Sequence, residues 1–393
     1  MKWKNKLCEF DHEAEIYRGQ DFFHKDIYIF GAGEIGKIFS CAVNRFCVLK
    51  AFIDNDVEKQ GKVYCNFPVI SLRNYLENKH DNALVVLCLK EEYCQTVKEQ
   101  LLKHAFIEYE MFMTKDEYEK RLRIELFYKK NIIYLPTVQI SLTERCTLRC
   151  RKCAHACNLV PPGSKDLSMA KAKESADFFF QYVDYVIEFV LIGGEPLLYP
   201  YLPEIVDYIG SRYREKMDIF SITTNGTIKP KEDLLSICRK YDVLFRVSNY
   251  AESLPRLEDQ MEAFKEITQS YGVSCIIGKK GKNWTDYGFD YVNRQGTPTQ
   301  LEKVFDACKT QCHEIRGSKF YFCVMARSVA ENMKRNVGDE DFFDLASGTT
   351  DARKKEFFEY TMGCSNKGYL DMCNYCHGAE RIYYPIPAGE QMR

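Results

Sequence analysis

The chain has 393 residues, 46% hydrophobic and 14% aromatic, which is long for one core and enough to fill two or three. Its 55 Lys and Arg offset 56 Asp and Glu, so no global field draws it to nucleic acid or to an anionic membrane surface. The first residues turn acidic before any apolar run, and no stretch reaches the roughly 18 apolar residues of a spanning helix. The expectation is a soluble, cytoplasmic protein with no nucleic-acid partner and no membrane span.

Eighteen cysteines stand out in the composition. Without an export signal, and in a chain of this size, clustered thiols point to metal rather than to disulfides. Cys8, Cys41, Cys47, Cys65, Cys88 and Cys94 have no ligand-like spacing and read as small buried apolar residues.

In chain order, residues 1–114 read as a Rossmann-like α/β module. An apolar strand at 27–30 runs into Gly31-Ala32-Gly33-Glu34-Ile35-Gly36, then a helical pattern at 37–43 and a strand at 49–53 ending at Asp54. A third, buried strand is expected over 84–89. G-x-G-x-x-G after a strand, with an acidic residue beyond, fits a phosphate-binding turn with Asp54 on a ribose hydroxyl. A docking fold without a ligand remains equally open. A charged helical linker is expected over 115–135, and Pro136 marks the boundary.

Residues 136–302 alternate strands (138–142, 188–192, 219–224, 243–249, 273–277) with helical stretches such as 170–186 and 201–213. Repeated β-α units build a parallel sheet, doubly wound or curled into a barrel. Residues 303–393 are Cys-rich and irregular.

Cys146-Thr147-Leu148-Arg149-Cys150-Arg151-Lys152-Cys153 follows the first of these strands. Three thiolates at this spacing converge on one cluster from a single loop, and three ligands on a cubane leave one iron open. A structural zinc site, with His155 or Cys157 as fourth ligand, is the alternative.

CTLRCRKC resembles the CxxxCxxC loop of the radical S-adenosylmethionine (SAM) superfamily, and later segments match in order. Gly193-Gly194-Glu195-Pro196, Thr223-Thr224-Asn225-Gly226-Thr227 and Ser248-Asn249-Tyr250 all sit at predicted strand ends. The resemblance implies a partial (β/α)6 barrel, a [4Fe–4S] cluster on Cys146, Cys150 and Cys153, and bound SAM. It further implies that Gly193, Gly194 and Glu195 receive the SAM amino group, and that Asn225, Ser248 and Asn249 make polar contacts to SAM. Lys152 departs from the family, which usually has an aromatic residue before the third Cys.

Cys323 follows a turn and a short strand, and Cys373-Asn374-Tyr375-Cys376 is a CxxC pair. This layout resembles the twitch form of the SPASM auxiliary domain and implies a second [4Fe–4S] cluster. Cys312, Cys323, Cys373 and Cys376 are its expected ligands, with Cys308 the alternative to Cys312 and Cys364 structural. A zinc ribbon from the same cysteines is the competing reading.

The combination resembles bacterial capsule or lipopolysaccharide biosynthesis proteins. It implies hydrogen abstraction from a sugar or nucleotide-linked sugar, with a flavodoxin or ferredoxin as reductant. Cys275, on the fifth predicted strand, is a candidate hydrogen donor for epimerisation, and dehydrogenation would use the second cluster as electron acceptor. Trp284 and Asp286, in Trp284-Thr285-Asp286-Tyr287-Gly288, are candidate substrate contacts by stacking and hydrogen bonding. Two alternatives are a peptide-modifying enzyme and a non-enzymatic, zinc-stabilised scaffold.

Overall fold

The computed structural model describes residues 9–160, 166–281, 283–287, 292–308, 312–335, 337–364, 367–378 and 384–392. Cys8 and Gly288 lie outside them. The chain divides into two compact units, one spanning Glu9–Ile132 and the other running from Ile133.

The first unit contains helix α1 (Glu9–Tyr17), strand β1 (Asp26–Phe30), α2 (Glu34–Phe46), β2 (Val48–Ile53), β3 (Val63–Tyr64), β4 (Phe67–Ile70), α3 (Leu72–Asn78), β5 (Ala83–Leu87), α4 (Glu91–Lys103), β6 (Phe112–Thr114) and α5 (Lys115–Lys130). Its sheet order is β3-β4-β2-β1-β5-β6, parallel except for the β3–β4 pair. All five residues of β5 are buried, the signature of a central parallel strand covered on both faces. The stretch expected as a linker is α5, which begins on a Thr114/Glu117 capping box and ends on Asn131 in the left-handed region. Tyr118, Leu122, Ile124 and Leu126 are wholly buried along it, and the Tyr118 hydroxyl reaches Cys47 at 3.1 Å. Glu119, Arg123 and Glu125 are buried beside them, so the charged stretch is a helix of this core rather than a linker.

The second unit opens with β7 (Tyr134–Ser141), then α6 (Met169–Tyr182), β8 (Tyr185–Ile192), α7 (Leu202–Tyr213), β9 (Met217–Thr224), α8 (Glu232–Lys240), β10 (Val243–Val247), α9 (Glu258–Ser270) and β11 (Cys275–Ile277). Next come β12 (Trp284–Thr285), α10 (Pro298–Ala307), β13 (His313–Arg316), β14 (Lys319–Tyr321), α11 (Val324–Arg327), β15 (Phe342–Asp344), α12 (Asp351–Thr361) and β16 (Pro385–Ile386). The main sheet runs β11-β10-β9-β8-β7-β13-β14-β15. β7 to β11 are consecutive and parallel, the α/β arrangement of a partial barrel. Helix α6 stops at Tyr182, short of the expected 186, because the β-branched and aromatic run Val183-Asp184-Tyr185-Val186-Ile187 favours the extended chain of β8.

The sixth parallel strand arrives differently from the expectation. It is β13, from the Cys-rich segment, and it pairs with β7 rather than following β11. Aromatic packing carries the core across this seam: Phe320 on β14 lies 6.3 Å from Phe179 of α6 and 5.0 Å from Phe357 of α12. Tyr182 of α6 likewise packs 5.0 Å from Phe357. The Cys-rich segment is therefore built onto the barrel sheet.

Candidate active site

The three-thiol loop leaves the C-terminal end of β7, the end at which β/α barrels assemble their sites. The glycine turn after β8 holds it in place. Gly194 N–H donates to Thr143 O at 2.7 Å and Glu195 N–H to Arg145 O at 2.8 Å. Gly193 has φ +154°, and a Cβ on it would sit 2.4 Å from Thr143 O; one on Gly194 would sit 2.2 Å from Arg145 O. Only glycines allow so close an approach. Arg145 pairs with Asp166 at 2.7 Å, bracing the base of the loop.

Beneath the loop lies a fully buried cation, Arg327. It sits 2.7 Å from Glu314 and donates to Glu144 at 2.8 Å, Ser141 Oγ at 3.0 Å and His155 Nδ1 at 3.1 Å. With Arg327 donating, Nδ1 of His155 accepts, so the imidazole carries its proton on Nε2. Asn332 donates to both Glu144 (2.7 Å) and His155 O (2.6 Å). Burial pushes the Glu144 carboxyl up, but Arg327 and Arg316 outweigh it and hold the group below its usual range. A buried ionic anchor thus fixes the segment just after Cys153.

N–H donors surround the thiols. Cys146 Sγ accepts from Leu148 N–H (3.5 Å) and Asn225 Nδ2 (3.6 Å), and Cys150 Sγ from Gln391 Nε2 (3.2 Å). Burial pushes Cys146 up to about 11 and Cys150 up to about 12, whereas a hydrogen bond with Cys157 holds Cys153 down. Among the described residues no three His, Cys, Asp or Glu side chains are arranged to hold a metal ion directly. Three soft thiols on one loop, with N–H donors aimed at their sulfurs, fit an iron–sulfur cluster with one iron left open for SAM.

All three thiols line one cavity of roughly 530 Å³, together with Gly193, Gly194, Asn225, Ser248, Asn249 and Trp284. That volume is ordinary for a small-molecule site. Asn225 is oriented by Thr147 Oγ1 at 3.0 Å and Thr227 N–H at 2.9 Å. Asn249 Oδ1 accepts from Ala251 N–H, closing a tight turn.

Four expected residues stand elsewhere. Glu195 is wholly buried and its carboxylate accepts from Thr224 Oγ1 (2.7 Å), Asn225 N–H (2.8 Å) and Leu197 N–H (3.1 Å). It ties the β8 and β9 turns together and does not line the cavity. Asp286 lies 3.4 Å from Lys152, so the cation that replaced the expected aromatic residue takes the carboxylate expected to meet substrate. Cys275 faces α9, beside Thr268 and Lys265. Its neighbour Ile276 is the β11 residue that lines the cavity, because successive side chains on a strand point to opposite faces.

The fourth correction concerns the C-terminal thiols. After burial, the groups that push Cys323 up are Cys308, Cys373 and Cys376, and Cys308 lies beside Gly378, whose added Cβ would be 3.9 Å from the Cys308 Cβ. Cys312 instead donates to Gln139 Oε1 on β7 at 3.0 Å, since it immediately precedes β13 and is drawn into the barrel by the β13–β7 pairing. Cys308 rather than Cys312 thus joins Cys323, Cys373 and Cys376 in one group of neighbouring thiols. Its last turn borders the cavity, for His377 N–H donates to Tyr287 O at 2.9 Å and Tyr287 lines the pocket.

In the first unit, Asp54 is occupied by the glycine turn after β1 and by Lys59. It accepts from Ala32 N–H at 2.9 Å and from Lys59 at 3.0 Å.

Sequence reasoning gave no role to Tyr250, which is half-buried in the cavity wall beside the thiols and edge-on to Trp284 at 5.3 Å, nor to Arg327 or Gln391. Tyr250 carried a signal, its place directly after Ser248-Asn249. For the other two no local pattern announced the contacts that matter, which run from Arg327 to Glu144, Ser141 and His155 and from Gln391 to Cys150 across long stretches of chain.

Residues 140–281 match the radical SAM superfamily. A GTP 3′,8-cyclase from Syntrophomonas wolfei subsp. wolfei is 34% identical over 105 residues, 26% of this chain and 29% of that protein. The antilisterial bacteriocin subtilosin biosynthesis protein AlbA of Bacillus subtilis is 31% identical over 93 residues, 24% of this chain and 19% of that one. The chain thus spans under a third of the length of either relative. The solved structure of native anSMEcpe with bound AdoMet has a TM-score of 0.40 at 14% identity, covering 62% of this chain and 89% of that one. No helix among the described residues is long and apolar enough to cross a membrane. The three-thiol loop, the glycine turn against it and the parallel strands beneath them make residues 140–281 a radical SAM domain.

Proposed function

We propose that this protein removes hydrogen from a carbon of an anionic, nucleotide-linked sugar. The observation that carries the reading is the charge of the cavity. Lys152, Arg246 and Lys279 line it and, among the described residues, no carboxylate does. Arg246 is held at 3.2 Å by Glu188 and Lys152 by Asp286, so two of the cations are oriented before any substrate enters. Positive charge around a thiol-rich pocket suits phosphate groups.

When bound, the cluster and SAM together supply a 5′-deoxyadenosyl radical. Cys146, Cys150 and Cys153 would hold the cluster, and Gly193 and Gly194 would admit SAM. Trp284 and Tyr250 form an apolar wall that keeps water from the reacting carbon. Of the two outcomes the radical permits, dehydrogenation is the better supported. Cys275 faces away from the cavity, while the turn carrying Cys376 borders it, and a second cluster held by Cys308, Cys323, Cys373 and Cys376 would there supply an acceptor for the surplus electron.

One observation favours a second reading, peptide modification: the matched segment of AlbA, a bacteriocin biosynthesis protein. The GTP cyclase match and the cationic lining favour a nucleotide-bearing substrate. The test is anaerobic reconstitution with iron and sulfide, then SAM, reductant and panels of nucleotide sugars, free sugars and peptides. Formation of 5′-deoxyadenosine should rise only with nucleotide sugars, with a product lacking two hydrogens. Stimulation by peptides alone would transfer the assignment to the second reading.

A further inference from the structure

Residues 384–392 close over the thiol loop, and nothing in the reaction as derived requires them. The contact is a short antiparallel ladder. Cys150 bridges Gln391, Arg151 N–H donates to Glu390 O at 2.7 Å, and Met392 N–H donates to Arg149 O at 2.7 Å. Arg151 and Glu390 add an ion pair at 2.8 Å.

The approach to this ladder is itself pinned. Strand β16 pairs with β12, which places it beside Trp284. Ser253 Oγ donates to Ala388 O at 2.7 Å. Gly389 has φ +73°, and a Cβ there would meet the Tyr250 ring at 2.7 Å, so only glycine lets the segment cross that ring.

Within the ladder one side chain touches a cluster thiol. Gln391 Oε1 accepts from Arg149 N–H at 2.7 Å, and Nε2 donates to Gly389 O at 2.6 Å and to Cys150 Sγ at 3.2 Å. The oxygen faces a donor and the nitrogen faces an acceptor, so the amide has one sensible orientation. It presents an N–H to sulfur from a segment some 240 residues away in sequence.

We propose that Gln391 is a positioning residue that sets the reduction potential of the iron–sulfur cluster held by Cys146, Cys150 and Cys153. The proposal rests on the radical SAM reading of that loop. Reduction adds negative charge to a cluster, part of it on the ligand sulfurs, and an N–H aimed at a sulfur favours the more negative state. Gln391 therefore makes the cluster easier to reduce. Replacing it lowers the potential, and placing a carboxylate there lowers it further.

The test is a redox titration of the full chain after anaerobic reconstitution, following the SAM-sensitive part of the electron paramagnetic resonance signal. Wild type, Gln391→Leu, Gln391→Glu and Arg151→Ala are compared, with iron and sulfide counted on each. Gln391→Leu should load iron as wild type does and titrate at lower potential, on the order of 59 mV for a tenfold change in the one-electron equilibrium. Gln391→Glu should fall below Gln391→Leu. Arg151→Ala, which weakens the ladder without touching sulfur, should titrate as wild type. Equal potentials throughout, or one common shift in Gln391→Leu and Arg151→Ala, would overturn the proposal while leaving the radical SAM reading intact. Wild-type protein without a SAM-sensitive signal would overturn both.

Discussion

The two thiol groups of the second unit are built in opposite ways. Cys146, Cys150 and Cys153 share an eight-residue loop and line an open cavity with N–H donors at their sulfurs. Cys308, Cys323, Cys373 and Cys376 come from separated segments, and the last three are buried. The first arrangement leaves room for a ligand beside the thiols. The second surrounds them with protein, which suits electron storage and stability more than substrate chemistry. Which thiols meet the cavity, rather than how many there are, separates the two groups.

Removing the first group altogether is the most severe way to break this contrast. In a Cys146/Cys150/Cys153→Ala variant, 5′-deoxyadenosine formation should vanish, and iron should fall from about eight atoms per chain to about four, as for the loss of one of two cubanes. Retained SAM cleavage would show that the loop is not the reactive centre.

Almost as large is the effect expected from the anchor below the loop. Arg327→Met leaves Glu314 buried without its cation and Glu144 with Arg316 alone, a change that typically costs about 3–5 kcal/mol. Thermal unfolding should show a markedly lower midpoint. A variant that also carries Glu144→Gln and Glu314→Gln should recover part of it.

The membership of the second group is sharpened by a pair of single changes. Cys308→Ala should lose about four irons and keep SAM cleavage uncoupled from product. Cys312→Ala should keep its iron and lose only the bond to Gln139, about 1 kcal/mol. The reverse pattern would reinstate Cys312 as the ligand.

The smallest effect concerns Asp341, which accepts from Asp371 N–H (2.6 Å) and Met372 N–H (2.8 Å) and so fixes the turn carrying Cys373. Burial is the main cause that pushes its carboxyl up to about 7. A raised folded-state value means that the group's contribution is fullest below the ordinary carboxylate range and is lost as pH rises through 7. Melting points should therefore decline between about pH 4 and 7 through this group. Asp341→Asn should remove that part of the slope, whereas an unchanged slope would assign it to other groups.

Much of the site is legible in the amino-acid sequence because the radical SAM loop is local. CTLRCRKC, the glycine turn after β8 and the polar ends of β9 and β10 each lie on a few consecutive residues. Strand ends of a parallel sheet necessarily gather on one side. The strands themselves are legible from their β-branched, apolar runs. Local pattern does not say which way a side chain leaves its element. Cys275 and Ile276 are neighbours, and alternation sends the thiol to α9 and the methyls to the cavity. Glu195 and Asp54 each sit where a ligand contact is expected, and each is instead taken by an adjacent backbone N–H.

Spacing along the chain encodes the three-thiol loop, the strand-end motifs and the alternation of strands and helices, so these follow from the amino acids alone. Long-range packing was needed to choose Cys308 over Cys312 for the buried thiols, to set Arg327 beneath the loop, and to bring Gln391 to Cys150. The reason is physical. Those pairings bridge tens to hundreds of residues, and hydrogen bonds and ion pairs between distant segments leave no periodicity to read. They are fixed when β13 pairs with β7 and residues 384–392 lie down across the loop.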